Sequence, residues 1–110
     1  MEISIQDKGE AKVAVFEGNL DTNTASAAEN KLNELIQGGA SKILVDFGQL
    51  AYISSAGLRV LLVTTKKLKG SGGELRICGL NETVQEVFDI SGFSTIFSVF
   101  ASEDEALSGF

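Results

Sequence analysis

Along the chain, the spacing of apolar residues switches between a period of two and a period of about 3.6, so strands and helices follow one another. In residues 2–5, Ile3 and Ile5 share one side and polar residues the other, as in a half-exposed edge strand. Lys8-Gly9-Glu10 makes a turn, and Val13, Ala14, Val15 and Phe16 form a strand apolar on both faces. Residues 18–23 read as a loop. Residues 24–37 carry Ala28, Leu32, Leu35 and Ile36 on one helical face, and Gly38-Gly39 stops that helix. A short apolar strand follows at 43–47. A second amphipathic helix is marked by Leu58, Leu61, Leu62, Thr65 and Leu68 and ends at Gly70. Residues 74–78 alternate again, with Leu75 and Ile77 set against Glu74 and Arg76. Asn81 is placed to cap a third helix carrying Val84, Val87 and Phe88. A last strand is expected at 97–100, and Ser102 with Glu105 has capping-box spacing for a short helix through Leu107.

The order is β-β-α-β-α-β-α-β-α. It predicts a single α/β domain with a mixed, mostly parallel sheet of four or five strands, packed with about four helices. The first hairpin supplies an antiparallel edge. Sheets of this kind present their ligand sites at the carboxyl ends of strands, where loops lead into helices. Two segments fall there: Gly18-Asn19-Leu20-Asp21 and residues 50–57.

Composition narrows the chemistry. A chain of 110 residues with 44% hydrophobic and 22% charged residues is one globular domain's worth. Cys78 is the only cysteine and there is no histidine, which forbids an intrachain disulfide and leaves neither a zinc set nor the usual base for a nucleophilic serine. Cys78 itself reads as a buried strand residue. The longest apolar runs, such as residues 60–63, are far shorter than the roughly 20 residues that span a bilayer, and no signal peptide precedes the first strand, so a cytoplasmic protein without membrane insertion is expected. Nine basic against 15 acidic residues, a net charge of −6, argue against a nucleic-acid partner. Lys66, Lys67 and Lys69 form the one basic cluster and read as a solvated helix end. Gly38-Gly39 and residues 70–73 lack the strand-loop-helix context of a phosphate-binding loop.

The segment Tyr52-Ile53-Ser54-Ser55-Ala56-Gly57-Leu58 joins the third strand to the second helix. Two serines at a helix start have an ordinary explanation, because serine is a preferred N-cap. The same free N–H groups and positive dipole end also favour a phosphate, and an exposed serine there can switch the local charge by roughly −2.

Together with Val45-Asp46-Phe47, this segment resembles the signature of STAS-domain anti-sigma factor antagonists, in which a strand ending in Asp precedes an aromatic-Ile/Met-Asp-Ser-Ser/Thr-Gly-Leu block. Glu17-Gly18-Asn19-Leu20-Asp21 is similar to the family's Gly-x-Leu-Asp loop. Residues 72–80 resemble its fourth-strand pattern and Phe88-Asp89-Ile90-Ser91-Gly92-Phe93 its helix-end pattern, so the likeness runs through residues 1–110 as one STAS domain.

The resemblance implies a protein-binding switch, not an enzyme. The unphosphorylated domain would bind an anti-sigma factor that is also a serine kinase, releasing the sigma factor. Phosphorylation would end that binding, and a PP2C-type phosphatase would restore it. Matched position by position, the phosphoacceptor is Ser55, with no cofactor and no metal held by the chain itself. Ser54 stands where many members have Asp, and Ala56 where they have Ser or Thr, so a second hydroxyl lies beside the acceptor on one side and none on the other. Asp21 would lie near the phosphoserine, repelling the phosphate or helping to recruit a metal during dephosphorylation. Asp46 is expected to accept hydrogen bonds from loop N–H groups. Tyr52, Ser54, Ala56, Gly57, Leu58 and Arg59 flank the acceptor and are the expected partner surface. Gly57 in particular is expected to admit a partner's backbone, so that a bulky replacement weakens binding without harming the fold. Two other readings remain open at this stage: a STAS subunit docking on a lipid or anion transport system, which needs no phosphoacceptor, and a nucleotide hydrolase, for which the chain offers no P-loop lysine and no histidine base.

Overall fold

The computed structural model describes all 110 residues. Five strands pair in chain order: β1 (Glu2–Lys8), β2 (Ala11–Leu20), β3 (Lys42–Ile53), β4 (Glu74–Cys78) and β5 (Ser98–Phe100). β1 is antiparallel to β2, and every other pairing is parallel. The helices are α1 (Ala25–Gln37), α2 (Ser55–Gly70), α3 (Glu82–Ser91) and α4 (Glu103–Leu107), with one 3₁₀ turn at Phe93–Thr95. The expected fold class and element order are observed.

The strand periodicity sorts side chains onto two faces. Ala14, Phe16, Ile43, Val45, Phe47, Leu75 and Ile77 face α1, α2 and α3 and join Leu32, Leu61, Leu68 and Phe88 in the main core. Val13, Leu44 and Cys78 face the other way and are covered by Ala106 of α4, with Phe100, Leu107 and Phe110 around them. A helix of five residues has little intrinsic stability. Arg76 holds it in place. Its guanidinium donates to the carbonyls of Ala106 (2.8 Å), Ser108 (2.9 Å) and Gly109 (3.2 Å), and it lies against the rings of Phe100 (5.2 Å) and Phe110 (4.5 Å). The alternation of β4 places Arg76 opposite the main core, but that side is roofed rather than solvated.

On this second face Cys78 neighbours Asp46 across the β3–β4 ladder. Burial pushes the Cys78 thiol up to about 12, and the carboxylates of Asp46 and Glu103 push in the same direction. An unfolded thiol ionises near pH 8.5. Between those values the unfolded chain sheds a proton that the folded chain retains, so stability is lost as pH rises through that window. Wild type should therefore lose melting temperature more steeply than Cys78→Ala between pH 9 and 11, measured by circular dichroism; parallel slopes would show that the thiol does not titrate differently in the two states.

Two expected boundaries shift, for one reason. β2 continues to Leu20 and β3 to Ile53, so about half of each expected loop is strand. The register explains it. Val15 pairs with Asp46 but Glu17 with Gln49, and Gly18 pairs with Leu50 but Asn19 with Tyr52, so β3 carries an extra residue twice. These bulges space the buried Phe47, Leu50 and Ile53 three apart, which hides the strand's period of two. β4 ends opposite Asp46 and the pairing with β1 stops at Glu17, so beyond both, β2 and β3 project as a two-stranded ribbon. Asp46 accepts from the Gly48 N–H (2.8 Å) in the first bulge, the kind of contact expected of it. Asn81 both caps α3 through Val84 N–H (2.8 Å) and donates to the Leu50 carbonyl (2.9 Å), tying α3 to the ribbon.

Candidate functional site

The ribbon ends with Leu20 paired to Ile53, and the backbone N–H of Ser54 adds one further bond to the Leu20 carbonyl (2.9 Å). The Asp21 turn and the start of α2 are therefore neighbours because two parallel strands end level. Ser54 is the N-cap, extended at φ −99° and ψ 175°, and its hydroxyl accepts from the Gly57 N–H (3.4 Å). Ser55 is the first helical residue. It is exposed, and its hydroxyl makes no hydrogen bond within the chain. One serine is engaged in capping and the other is free. α2 has no acidic residue in its first turn, so nothing within the helix offsets its positive end.

Ser54→Ala removes the cap but leaves Ser55 exposed. Because the capping bond is long, a destabilisation of about 0.5–1 kcal/mol is expected, a few degrees in a thermal melt. A loss several times larger would mean that Ser54 does more than cap the helix.

Asp21 builds the turn ahead of α1. Its carboxylate accepts from the N–H groups of Asn23 (2.9 Å) and Thr24 (3.2 Å). Its own N–H donates to the Thr24 hydroxyl, which in turn donates to the Asn19 carbonyl (both 2.9 Å). This lattice fixes the loop beside α2 while leaving Asp21 half-buried.

Parallel β2 and β3 set α1 and α2 side by side on the main face, and their N-terminal halves frame an open groove of about 590 Å³. Ser55, Ala56 and Arg59 line it from α2, and Ala25, Ser26 and Glu29 from α1. The α1 side was not among the expected site residues. Ser26 and Glu29 stand one turn apart on α1, a spacing that marks a stripe but does not say which helix lies opposite.

The expected partner surface divides in two. Tyr52 (45% exposed) and Arg59 are at the surface, Ser54 and Ala56 partly so. Gly57 and Leu58 are buried and belong to the packing beneath. A side chain at Gly57 would not meet a partner: its Cβ would stand 2.8 Å from both Leu20 Cγ and Ile53 Cγ1. The expectation that a bulky residue there spares the fold is therefore corrected, because the close approach that requires glycine is made by the protein's own ribbon. Lys66, Lys67 and Lys69 are exposed at the far end of α2, where Lys67 reaches Asn33 (3.0 Å). No group of three or more Cys, Asp or Glu side chains converges to hold a metal ion, and no helix is long and apolar enough to cross a membrane.

Fold and motif together define a STAS domain: the family model of that name matches residues 2–106, and the chain belongs to this family. BtrV of Bordetella bronchiseptica, provisionally named an anti-sigma factor antagonist, is 41% identical over 98 residues, covering 89% of this chain and 84% of that protein. Two solved structures share the fold. An anti-sigma factor antagonist from Mycobacterium paratuberculosis superposes with a TM-score of 0.90 at 20% identity, covering 97% of this chain and 91% of that one. The Bacillus cell fate determinant SpoIIAA in its phosphorylated form gives 0.74 at 24% identity, covering 97% of each chain.

Proposed function

We propose that this chain, as one STAS domain over residues 1–110, is an anti-sigma factor antagonist whose binding is switched off by phosphorylation of Ser55. The observation that carries the reading is the division of labour at the start of α2: Ser54 is held as the cap, while Ser55 offers a free, exposed hydroxyl at the positive helix end. The likeness to BtrV supports the same reading, as does the phosphorylated state in which SpoIIAA, a protein of this fold, is known.

The partner is an anti-sigma factor with serine-kinase activity, met in the cytoplasm where ATP is available. In the unphosphorylated state the exposed surface around Ser55, formed by Tyr52, Ala56 and Arg59, contacts that partner and so frees the sigma factor. Transfer then moves the γ-phosphoryl group of ATP to the Ser55 oxygen; the hydroxyl proton leaves to a base of the kinase, and ADP is released. ATP and Mg²⁺ are held by the kinase, and this chain supplies only the nucleophile. Hydrolysis by a PP2C-type phosphatase restores the hydroxyl.

The test is mass spectrometry of the protein after incubation with its cognate kinase and Mg-ATP. Phosphate on Ser55 is expected, with none on the Ser55→Ala variant. Phosphate on Ser54 would move the acceptor by one residue. Absence from both serines would overturn the switch and favour a docking subunit of a transport system.

A further inference from the structure

We propose that Arg59 is the intramolecular counter-ion of the Ser55 phosphate. This rests on Ser55 as the acceptor. Ser55 and Arg59 are four residues apart on α2, which puts their Cβ atoms about 6 Å apart on one side of the helix, and both line the groove between α1 and α2. The chain has two arginines. Arg76 is fully engaged beneath α4, whereas Arg59 is exposed and takes part in none of the five ion pairs. A guanidinium offers a planar fork of donors that matches two phosphate oxygens at once. The phosphate would complete its coordination with the N–H groups of the first turn.

The groove also contains the group that opposes this pairing. Glu29 lines it from α1, likewise outside every ion pair, and is the one carboxylate among the lining residues. Before phosphorylation the only opposite charge across the groove from Arg59 is this monoanion. A phosphoserine dianion on the same helix outcompetes it, so modification draws the cation away from α1 and neutralises it as well as adding negative charge. A partner that reads Arg59 through this groove loses its contact at the same moment that it meets the phosphate.

The charged and titratable groups around the phosphate are Arg59 on α2, Glu29 on α1, Asp21 in the turn before α1 and Tyr52 at the end of β3. Of these, Arg59 alone lowers the second ionisation of the phosphoserine, ordinarily near pH 6, while Glu29 and Asp21 raise it. The test uses full-length protein made with phosphoserine incorporated at position 55 during translation, so that no kinase is required. A ³¹P NMR titration reads the ionisation midpoint directly. Arg59→Gln is expected to raise it by roughly 0.2–0.4 pH units, Arg59→Lys to fall between, and Glu29→Gln to lower it. An unchanged midpoint in Arg59→Gln, with an unchanged melting temperature of the unphosphorylated variant, would overturn the pairing. So would equal midpoints for Arg59→Gln and Glu29→Gln. Because the phosphate is installed during translation, failure of the pairing is separate from failure of Ser55 as the kinase's target, which the mass-spectrometric test decides.

Discussion

Gly57→Leu is expected to destabilise the domain by about 3 kcal/mol or more, at the upper end of overpacking effects. A Cβ at this position would stand 2.8 Å from Ile53 Cγ1, 2.8 Å from Leu20 Cγ and 2.9 Å from the Leu20 carbonyl oxygen. None of the three can give way cheaply. Leu20 and Ile53 are fully buried in the main core, and the carbonyl accepts the Ser54 N–H that links the ribbon to α2. Relief would require α2 to lift from the ribbon, breaking the Ser54 cap in the process. A fall in melting temperature of more than about 10 °C is expected by circular dichroism. The control is Gly70→Ala, at the other end of the same helix, where a Cβ meets nothing within 4 Å; that change should be neutral or slightly stabilising. A Gly57→Leu melt within a degree or two of wild type would refute the packing account. The consequence for function is practical: lost binding in a Gly57 variant reports the fold, so the partner surface has to be probed at Tyr52, Ala56 and Arg59.

The features that were legible in the sequence are those whose physics is local. Asn81 and Ser102 cap their helices as their spacing predicts, each accepting from the N–H three residues on, because a cap needs only its own turn. The alternation of strands and helices yielded the element order and the mostly parallel sheet for a similar reason, since each crossover constrains only the next strand. β3 was half-read because its period of two fails wherever a bulge inserts a residue, and bulges depend on the partner strand. The alternation of β4 sets Arg76 opposite Leu75 and Ile77 but does not show what covers it, since the rings against it come from residues 24 and 34 positions further on. Gly57 shows the same gap: a glycine announces close approach but not by what. In the candidate site, Ser54, Ser55 and the Asp21 loop could be placed from motif and capping chemistry. Ser26 and Glu29 could not, because their relevance arises only from which helix lies alongside α1.

Phosphorylation of Ser55 should lower affinity for the kinase partner by a factor of 100 or more while leaving the fold intact. The two effects have opposite signs at the same place. Within the free protein the phosphate sits at the N-terminus of a 16-residue helix with no acid in its first turn, where N–H groups and the dipole favour an anion. The melting temperature of the phosphorylated form should therefore equal or exceed that of the unmodified one. In the complex the same dianion faces a surface fitted to a neutral hydroxyl, and must lose water to be buried there. An incompletely paired charge in that setting costs several kcal/mol, and about 2.7 kcal/mol already corresponds to 100-fold. Asp21, held beside the site by its turn, adds like-charge repulsion at the rim. Ser55→Ala should bind as tightly as unmodified protein, because Ser54 and not Ser55 supplies the cap. Ser55→Asp should fall between, having one charge instead of nearly two and a shorter reach. Isothermal titration of the four forms against the kinase decides the matter: less than a threefold difference between phosphorylated and unmodified protein would mean that the groove at α2 is not where the partner binds.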